Sequence, residues 1–333
     1  MFSHRSTRTA IPHPPYFIAI FIFFTLLFFA RICTPFELLI GTGEADSFSY
    51  FAGKTICSSI KKHDKNVSCR LVPTREKADR LTNIMNGSLD LALVSSKTIH
   101  DAFHSTGFFQ FITIEYNDLR LLMPLYRSPI SLIARQDAHI ATLDDLAGKR
   151  INSGMFNTIE NQIFHELFNL KGWQRHDFPL YQNLSDTNSQ DFLALKSGSV
   201  QTMLHVGMHP DNSIKRLLVQ SNSTLIGLDD SDIKILIKEK SGFCSCRIDA
   251  GTYDVITEDL TTLAVETLLI ASAETDNDTV EMVLTAIYES KKQLQYAHPS
   301  LLRQRVQVTT LNESYLHPHP SAILFFQANQ NRY

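Results

Sequence analysis

Gly41-Thr42-Gly43 follows the apolar run Leu38 to Ile40 and precedes a segment with helical spacing. A strand that turns through glycine into a helix leaves backbone N–H groups pointing into the crevice beyond it, where they attract an anion. Two further segments share this layout. Thr74 to Lys77 opens a second helix and adds the ammonium of Lys77, and Asn157-Thr158 opens a third. Taken singly, each is only a capped helix. Gathered around one crevice, the three would hold a small anion such as a carboxylate. The glycines do not make a dinucleotide-binding turn, because Ser47 and Phe48 stand in place of the later glycine pattern. No Gly-Lys-Ser/Thr of a phosphate loop follows either.

The sequence has no Gly-x-Ser-x-Gly elbow and no His-Glu-x-x-His. Among its 13 histidines, His317-Pro-His319 is a pair that could ligate a metal, with capping or packing as the plainer reading. Cys244-Ser-Cys246 lacks the Cys-x-x-Cys or His-x-x-x-His companion that would complete four zinc ligands. The expectation is a binding protein and not an enzyme, with no metal and no cofactor.

These segments need elements to position them. Phe48, Ala52, Ile56 and Ile60 recur every fourth residue, one face of a helix. Cys69 to Pro73 reads as a short strand. Ala78, Leu81 and Met85 line a helix that Gly87 ends, and Leu89 to Val94 is a buried strand. This β-α-β-α-β order predicts a parallel sheet with helices on both faces. Arg120 to Tyr126 and Ile130 to Gln136 read as two long strands. A second alternating unit follows. Asn157-x-x-Glu160 resembles a capping box, with Thr158 as the alternative cap, before a helix that stops at Gly172. Val200 to Gly207 is a strand, Thr261 to Ser272 is strongly apolar, and Val280, Val283, Leu284 and Ile287 have helical spacing.

With 333 residues, 44% hydrophobic and 20% charged, the chain is no disordered protein and can form two domains. Its net charge of −3 excludes a globally basic nucleic-acid binder, so no nucleic-acid partner is expected. Arg5 and Arg8, with no acid nearby, precede the apolar block Tyr16 to Ala30, which Arg31 ends. That is the layout of an export signal, and the basic flank stays in the cytoplasm. Phe28 stands where a cleavage site wants a small residue. A cleaved secretory peptide and an uncleaved signal anchor both place Phe36 onward outside the cytoplasm. Cys57, Cys69, Cys244 and Cys246 would then be free to form disulfides, and a Cys57–Cys69 bridge would close a short polar excursion.

Leu38 to Gly53 resembles the opening of the TAXI-type extracytoplasmic solute receptors of TRAP transporters, with Tyr50 and Gly53 in place. Thr74 to Asp101 is similar to their next block through Leu81, Gly87, Asp90 and the strand ending in Ser95-Ser96. Thr142 to Gly154, the most specific stretch, matches the linker into a second lobe. Gly198, Gly207 and Pro210, then Ile248 to Asp254 and His319-Pro320-Ser321-Ala322, match later motifs. The resemblance covers residues 38–327 in order. It implies an α/β fold, a two-lobed periplasmic binding protein of type II-like form, with a cleft between two mostly parallel-sheet lobes. Residues 1–15 would be a basic N-terminal region and 16–33 a signal peptide or signal anchor. Residues 36–126 plus 256–333 would form lobe 1, and 127–255 lobe 2.

By motif position, the resemblance implies ligand-binding roles for Thr42, Gly43, Tyr50, Thr74, Ser95, Thr158 and Gly207. The chain departs from the family at several of these places. Arg75-Glu76-Lys77 replaces a usual Gly-Gly-Ser, Arg80 an Asn, Ser95 a Gln, Lys97 an Asp, Asn157-Thr158-Ile159 a Gly-Ser-Gly, and Gln201 an Asp. Lys77 and Arg80 are therefore site residues particular to this sequence. An arginine clamps a carboxylate with two prongs, whereas a lysine acts as a point charge. The implied function is capture of a small organic anion, glutamate or dicarboxylate-like, for an ion-gradient-driven TRAP permease. The protein would be a periplasmic monomer, either free or tethered to the inner membrane by an uncleaved N-terminal segment. The alternative is a membrane-tethered sensory or protein-interaction module that kept the fold and changed or lost its ligand.

Overall fold

A computed structural model describes residues 36–329 apart from 75–76, 157, 185–189, 240–241, 308–310 and 312–314. The block Tyr16 to Ala30, on which the export and anchor expectations rest, lies outside the described residues, as do Arg75, Glu76 and Asn157. No helix among the described residues is long and apolar enough to cross a membrane.

The first alternating unit runs β1 (Phe36–Thr42), α1 (Phe48–His63), β2 (Val67–Pro73), α2 (Lys77–Met85), β3 (Leu91–Ser95) and α3 (Ser96–His104). β1 and β3 pair in parallel, with Ile40 opposite Leu91, and β2 flanks β1. The side chain of Ser47 caps α1 by accepting the Tyr50 N–H at 3.2 Å. Lys61, Lys62 and His63 sit in the last turn of α1, where positive charge suits the helix dipole. Ala52, Ile56 and Ile60 are its buried face. Cys57 on that helix is bonded to Cys69 of β2, with Cα atoms 5.3 Å apart. The staple holds α1 against the sheet.

The chain continues through β4 (Leu119–Arg135), β5 (Arg150–Asn152), α4 (Ile159–Lys171), β6 (Leu180–Gln182), α5 (Gln190–Ser197), β7 (Thr202–Val206), α6 (Asn212–Gln220) and β8 (Ser223–Ile226). It ends with α7 (Ser231–Lys238), β9 (Phe243–Ile248), β10 (Leu260–Ser272), α8 (Asn277–Glu289), α9 (Lys291–Ala297) and α10 (Pro320–Ala328). The two strands read from sequence at 120–126 and 130–136 are one strand of 17 residues, β4. β10 runs antiparallel beside it across the junction, with Glu266 opposite Arg127 and Val265 opposite Ser128. Arg127 and Ser128, between the two readings, are thus held inside a ladder, and Arg127 Nε donates to Glu266 at 3.0 Å.

β4 and β10 each serve both halves of the molecule. On one side β10 pairs with β3, Thr267 opposite Ser95. On the other side β10 pairs with β9, and β4 pairs with β7 and β8. β5 lies parallel to both β6 and β7. β4 carries Pro124 and Pro129 in this region, residues that give no N–H to a ladder. Beside Pro124 the register shifts and Leu125 is passed over, a bulge that adds twist.

One hydrophobic cluster gathers residues between 38 and 126 with Leu268 to Phe326. Two more flank the second sheet, and the period of two along each strand sorts side chains between them. Leu132, Leu204 and Ile226 face one cluster, and Ile133, Met203 and Leu225 face the other. Helices therefore cover both faces. Cys244 and Cys246 on β9 are free thiols, and burial pushes the Cys244 thiol up to about 12.

The Cys57–Cys69 bond closes a loop with a sequence separation of 12. Replacing both cysteines by alanine is expected to lower the unfolding free energy by about 3 kcal/mol, the loop-entropy estimate for such a length. Urea titration of wild type and double variant measures the difference.

Candidate functional site

One wall of the site is built where β1 and β3 end and α1, α2 and α3 begin. Thr42 is buried, and its hydroxyl donates to the Gly43 carbonyl at 3.0 Å. Its own carbonyl accepts the Thr74 N–H at 3.0 Å and the Thr74 hydroxyl at 3.2 Å. The Gly43 N–H donates to Ser49 Oγ at 3.2 Å. Ser95 caps α3 by accepting the Thr98 N–H at 3.2 Å. Tyr50 is partly buried on the first turn of α1. The hydroxyls of Thr42, Thr74 and Ser95 thus fix chain ends in place.

Arg80 differs from these. It is only 8% exposed, on the buried face of α2 with Leu81 and Ile84. Its Nε has no hydrogen-bond partner, and no carboxylate of the described residues pairs with it. A Cβ on Gly43 would strike Ser47 Oγ at 2.7 Å and stand 3.6 Å from Nη1, so glycine lets the chain turn pass close to Ser47 and the guanidinium. Burial pulls the Arg80 pKa down, with the Tyr126 phenol and Asp79 opposing. Tyr126 is itself buried, which pushes its pKa up to about 12, with Thr267, Arg80 and Ser49 nearby opposing the rise. The floor around Arg80 is therefore hydroxyls. A buried charge without a counter-ion is strongly disfavoured, so this arrangement favours an incoming anion.

The other wall is α4 and the end of β7. Thr158 caps α4, accepting the Asn161 N–H at 3.3 Å. Glu160 is consequently one residue nearer the cap than a capping box needs. It is 9% exposed, and its Oε1 accepts the Val206 N–H at 3.3 Å. Gly207 follows; its N–H donates to the Pro129 carbonyl at 3.3 Å, and a side chain there would strike the His205 ring.

The walls meet. Lys97 on α3, 4% exposed, lies 2.5 Å from Asp101 Oδ1 and 3.5 Å from Glu166 Oε1 on α4. Ser96 Oγ donates to the Gly242 carbonyl at 2.6 Å. Lys77, partly buried at the start of α2, has its pKa lowered by burial; Glu160 is the strongest charge raising it, and Arg80 lowers it. Lys97 is thus offset by Asp101 and Glu166, and Lys77 by Glu160. Arg80 is left over.

A model of the NMT1-like family matches residues 40–328. The chain belongs to the NMT1-like family. Two solved structures share the two-lobed α/β fold of periplasmic binding proteins with this NMT1-like chain. One is a TctC solute binding protein from Polaromonas, with a TM-score of 0.56 and 14% identity over 80% of this chain and 88% of that one. The other is PhnD1 from Prochlorococcus marinus in complex with methylphosphonate, with a TM-score of 0.51 and 11% identity over 83% and 95%. At these identities the likeness is one of fold.

Of the sequence-predicted residues in this NMT1-like protein, Thr42, Gly43, Thr74, Lys77 and Arg80 gather at the first wall. Ser95 stands opposite Thr267 beside them, and Thr158 and Gly207 flank Glu160 on the second wall. Ser49, Tyr126, Thr267 and Glu160 went unpredicted as site residues. Glu160 had a sequence signal, but it pointed to capping; the carboxylate instead turns to a strand end 46 residues away.

Two other constellations deserve a chemical reading. Ser131 Oγ and His209 Nε2 are 2.7 Å apart, and His209 Nδ1 is 2.7 Å from the Tyr253 hydroxyl. Tyr253 accepts the Asp211 N–H at 2.9 Å, which leaves its own proton for His209 Nδ1. With the Tyr253 hydroxyl donating to Nδ1, Nε2 carries the hydrogen and donates to Ser131, the wrong polarity for activating a nucleophile. His319 caps α10, accepting the Ser321 N–H on Nδ1 at 3.2 Å, and its Nε2 lies 3.1 Å from the Thr275 carbonyl. Both ring nitrogens are used. Among the described residues no three His, Cys, Asp or Glu side chains converge on a metal position.

Burial drives the His209 pKa down to about 3. The unfolded chain then binds the extra proton below the ordinary histidine pKa, so His209 favours folding fully above pH ~6.5 and progressively less down to about 3. The expected loss from this group is up to ~1.4 kcal/mol per pH unit in that window. His209→Gln should flatten the slope of unfolding free energy between pH 7 and 5, measured by urea titration.

Proposed function

We propose that this NMT1-like protein is an extracytoplasmic solute receptor that captures a small organic anion between its lobes. It would deliver that anion to an ion-gradient-driven TRAP permease, the role implied by its resemblance to TAXI-type receptors. The observation that carries the reading is Arg80, a buried guanidinium with an unpartnered Nε beside the Gly43 turn. A carboxylate there would gain charge-assisted, two-pronged hydrogen bonds where water is largely excluded. The hydroxyls of Ser49 and Tyr126 stand next to it, and Lys77 adds positive field from the start of α2. Rotation of the lobes about β4 and β10 would close the walls over the solute.

On this reading the protein binds its solute without transforming it, and the Ser131–His209–Tyr253 contacts serve packing. Export follows from the basic flank and apolar block before Arg31, and the Cys57–Cys69 bond suits an oxidising compartment such as the periplasm. The methylphosphonate bound by PhnD1 is likewise a small anion.

A thermal-shift screen of the purified protein against small organic acids tests the reading. A true ligand at a hundredfold excess over its Kd should stabilise the fold by about 2.7 kcal/mol. Arg80→Ala should then weaken binding by about 30-fold or more in calorimetry, and Arg80→Lys by less. A folded protein silent to a broad panel of organic acids would overturn the proposal.

A further inference from the structure

Glu160 occupies three features that an anionic ligand group would otherwise use. It stands in the first turn of α4, where the helix dipole favours negative charge. Its Oε1 accepts the N–H of Val206 at the end of β7, at 3.3 Å. It offsets Lys77 on the opposite wall, and it is nine-tenths buried while doing so. Its Cβ packs against Gly154, where an added methyl would approach to 3.0 Å, so the backbone holds it in place. The second wall therefore already contains a carboxylate, supplied by the chain.

We infer that Glu160 takes the place of a ligand's second acidic group, so that the cleft accepts solutes with one anionic group at Arg80 and discriminates against dicarboxylates. This rests on the reading of the cleft as an anion receptor and narrows the ligand class. A single carboxylate at Arg80 leaves each of these three cations with an anion nearby: Lys97 with Asp101 and Glu166, Lys77 with Glu160, Arg80 with the solute. A second carboxylate on the same solute would meet Glu160 or compete for its donors. Like charges in a poorly solvated site repel strongly, or one of them must take up a proton.

The test is calorimetry with matched acids, butyrate against succinate and lactate against malate, on wild type, Glu160→Gln and Arg80→Ala. Glutamine keeps the size and the acceptor for Val206 but removes the charge. Wild type is expected to prefer the monocarboxylate of each pair by about tenfold or more, and Glu160→Gln to raise the dicarboxylate-to-monocarboxylate affinity ratio by about tenfold. In parallel, carbon-13 NMR of labelled lysine should show the Lys77 pKa falling in Glu160→Gln. A dicarboxylate that binds wild type as tightly as its partner, an unchanged ratio in Glu160→Gln, or an unmoved Lys77 overturns the inference. If Arg80→Ala abolishes binding while the ratio stays fixed, the inference alone fails. If Arg80→Ala binds like wild type, or none of the four acids binds, the receptor reading fails and the inference with it.

Discussion

Because β4 and β10 stay paired from Leu119 to Pro129, the two halves of the molecule share one continuous ladder. Every other element takes its position from that pairing. β3 is placed by β10, β7 and β8 by β4, and β9 by the far end of β10. The strand ends that carry Ser95 and Val206 are thereby brought to the same crevice. The ladder is antiparallel, whereas the outer pairs β1–β3, β5–β6 and β5–β7 are parallel. Parallel strands present their ends, and the helix starts that follow them, on one edge of a sheet. Two such edges meeting at a shared antiparallel pair make a cleft with backbone donors on both sides.

Within that cleft the energetics are governed by how few charges are exposed to water. Lys97, Arg80 and Glu160 are each more than nine-tenths buried. Lys97 has Asp101 at 2.5 Å, and there hydrogen bonds from His100, Lys97 and Thr106 outweigh burial and hold the Asp101 carboxyl below its ordinary range. Removing one member of such a pair leaves an uncompensated charge, so these residues constrain one another's identity. Arg80 has hydroxyls rather than a carboxylate beside it. In the receptor proposed above, this is the position where a bound solute would complete the balance.

Much of the frame was legible in the sequence because burial periodicity is local. Four-residue spacing marked α1, and glycines and cap residues marked the helix ends. The continuity of β4 was not legible, since Arg127-Ser128 looks like a loop until Glu266 is placed opposite it. Arg80 and Lys77 stood out by sequence as charges where the resembling family has small or neutral residues, and both lie on the first wall. Tyr126 gave no cue, because it closes an apolar run whose pattern says only that it is buried. Glu160 resembled part of a capping box from Asn157, and the alternative cap, Thr158, is the one the structure shows. The partner of Glu160, Val206, is remote in sequence, and the cap at Thr158 shifts the carboxylate away from the chain end.

The place of β10 also bears on how the chain reaches its folded state. In the sheet it lies between β3 and β4, although its residues come more than a hundred positions after both. Until residues 260–272 arrive, β3 and the first half of β4 have bare edges and the earliest core lacks Leu268 to Phe326. Such non-local pairing folds slowly. A chain still emerging from the ribosome, or threading a translocation channel, cannot close its first lobe early. For the exported receptor proposed above, the topology delays closure of the first lobe until residues 260–272 are available.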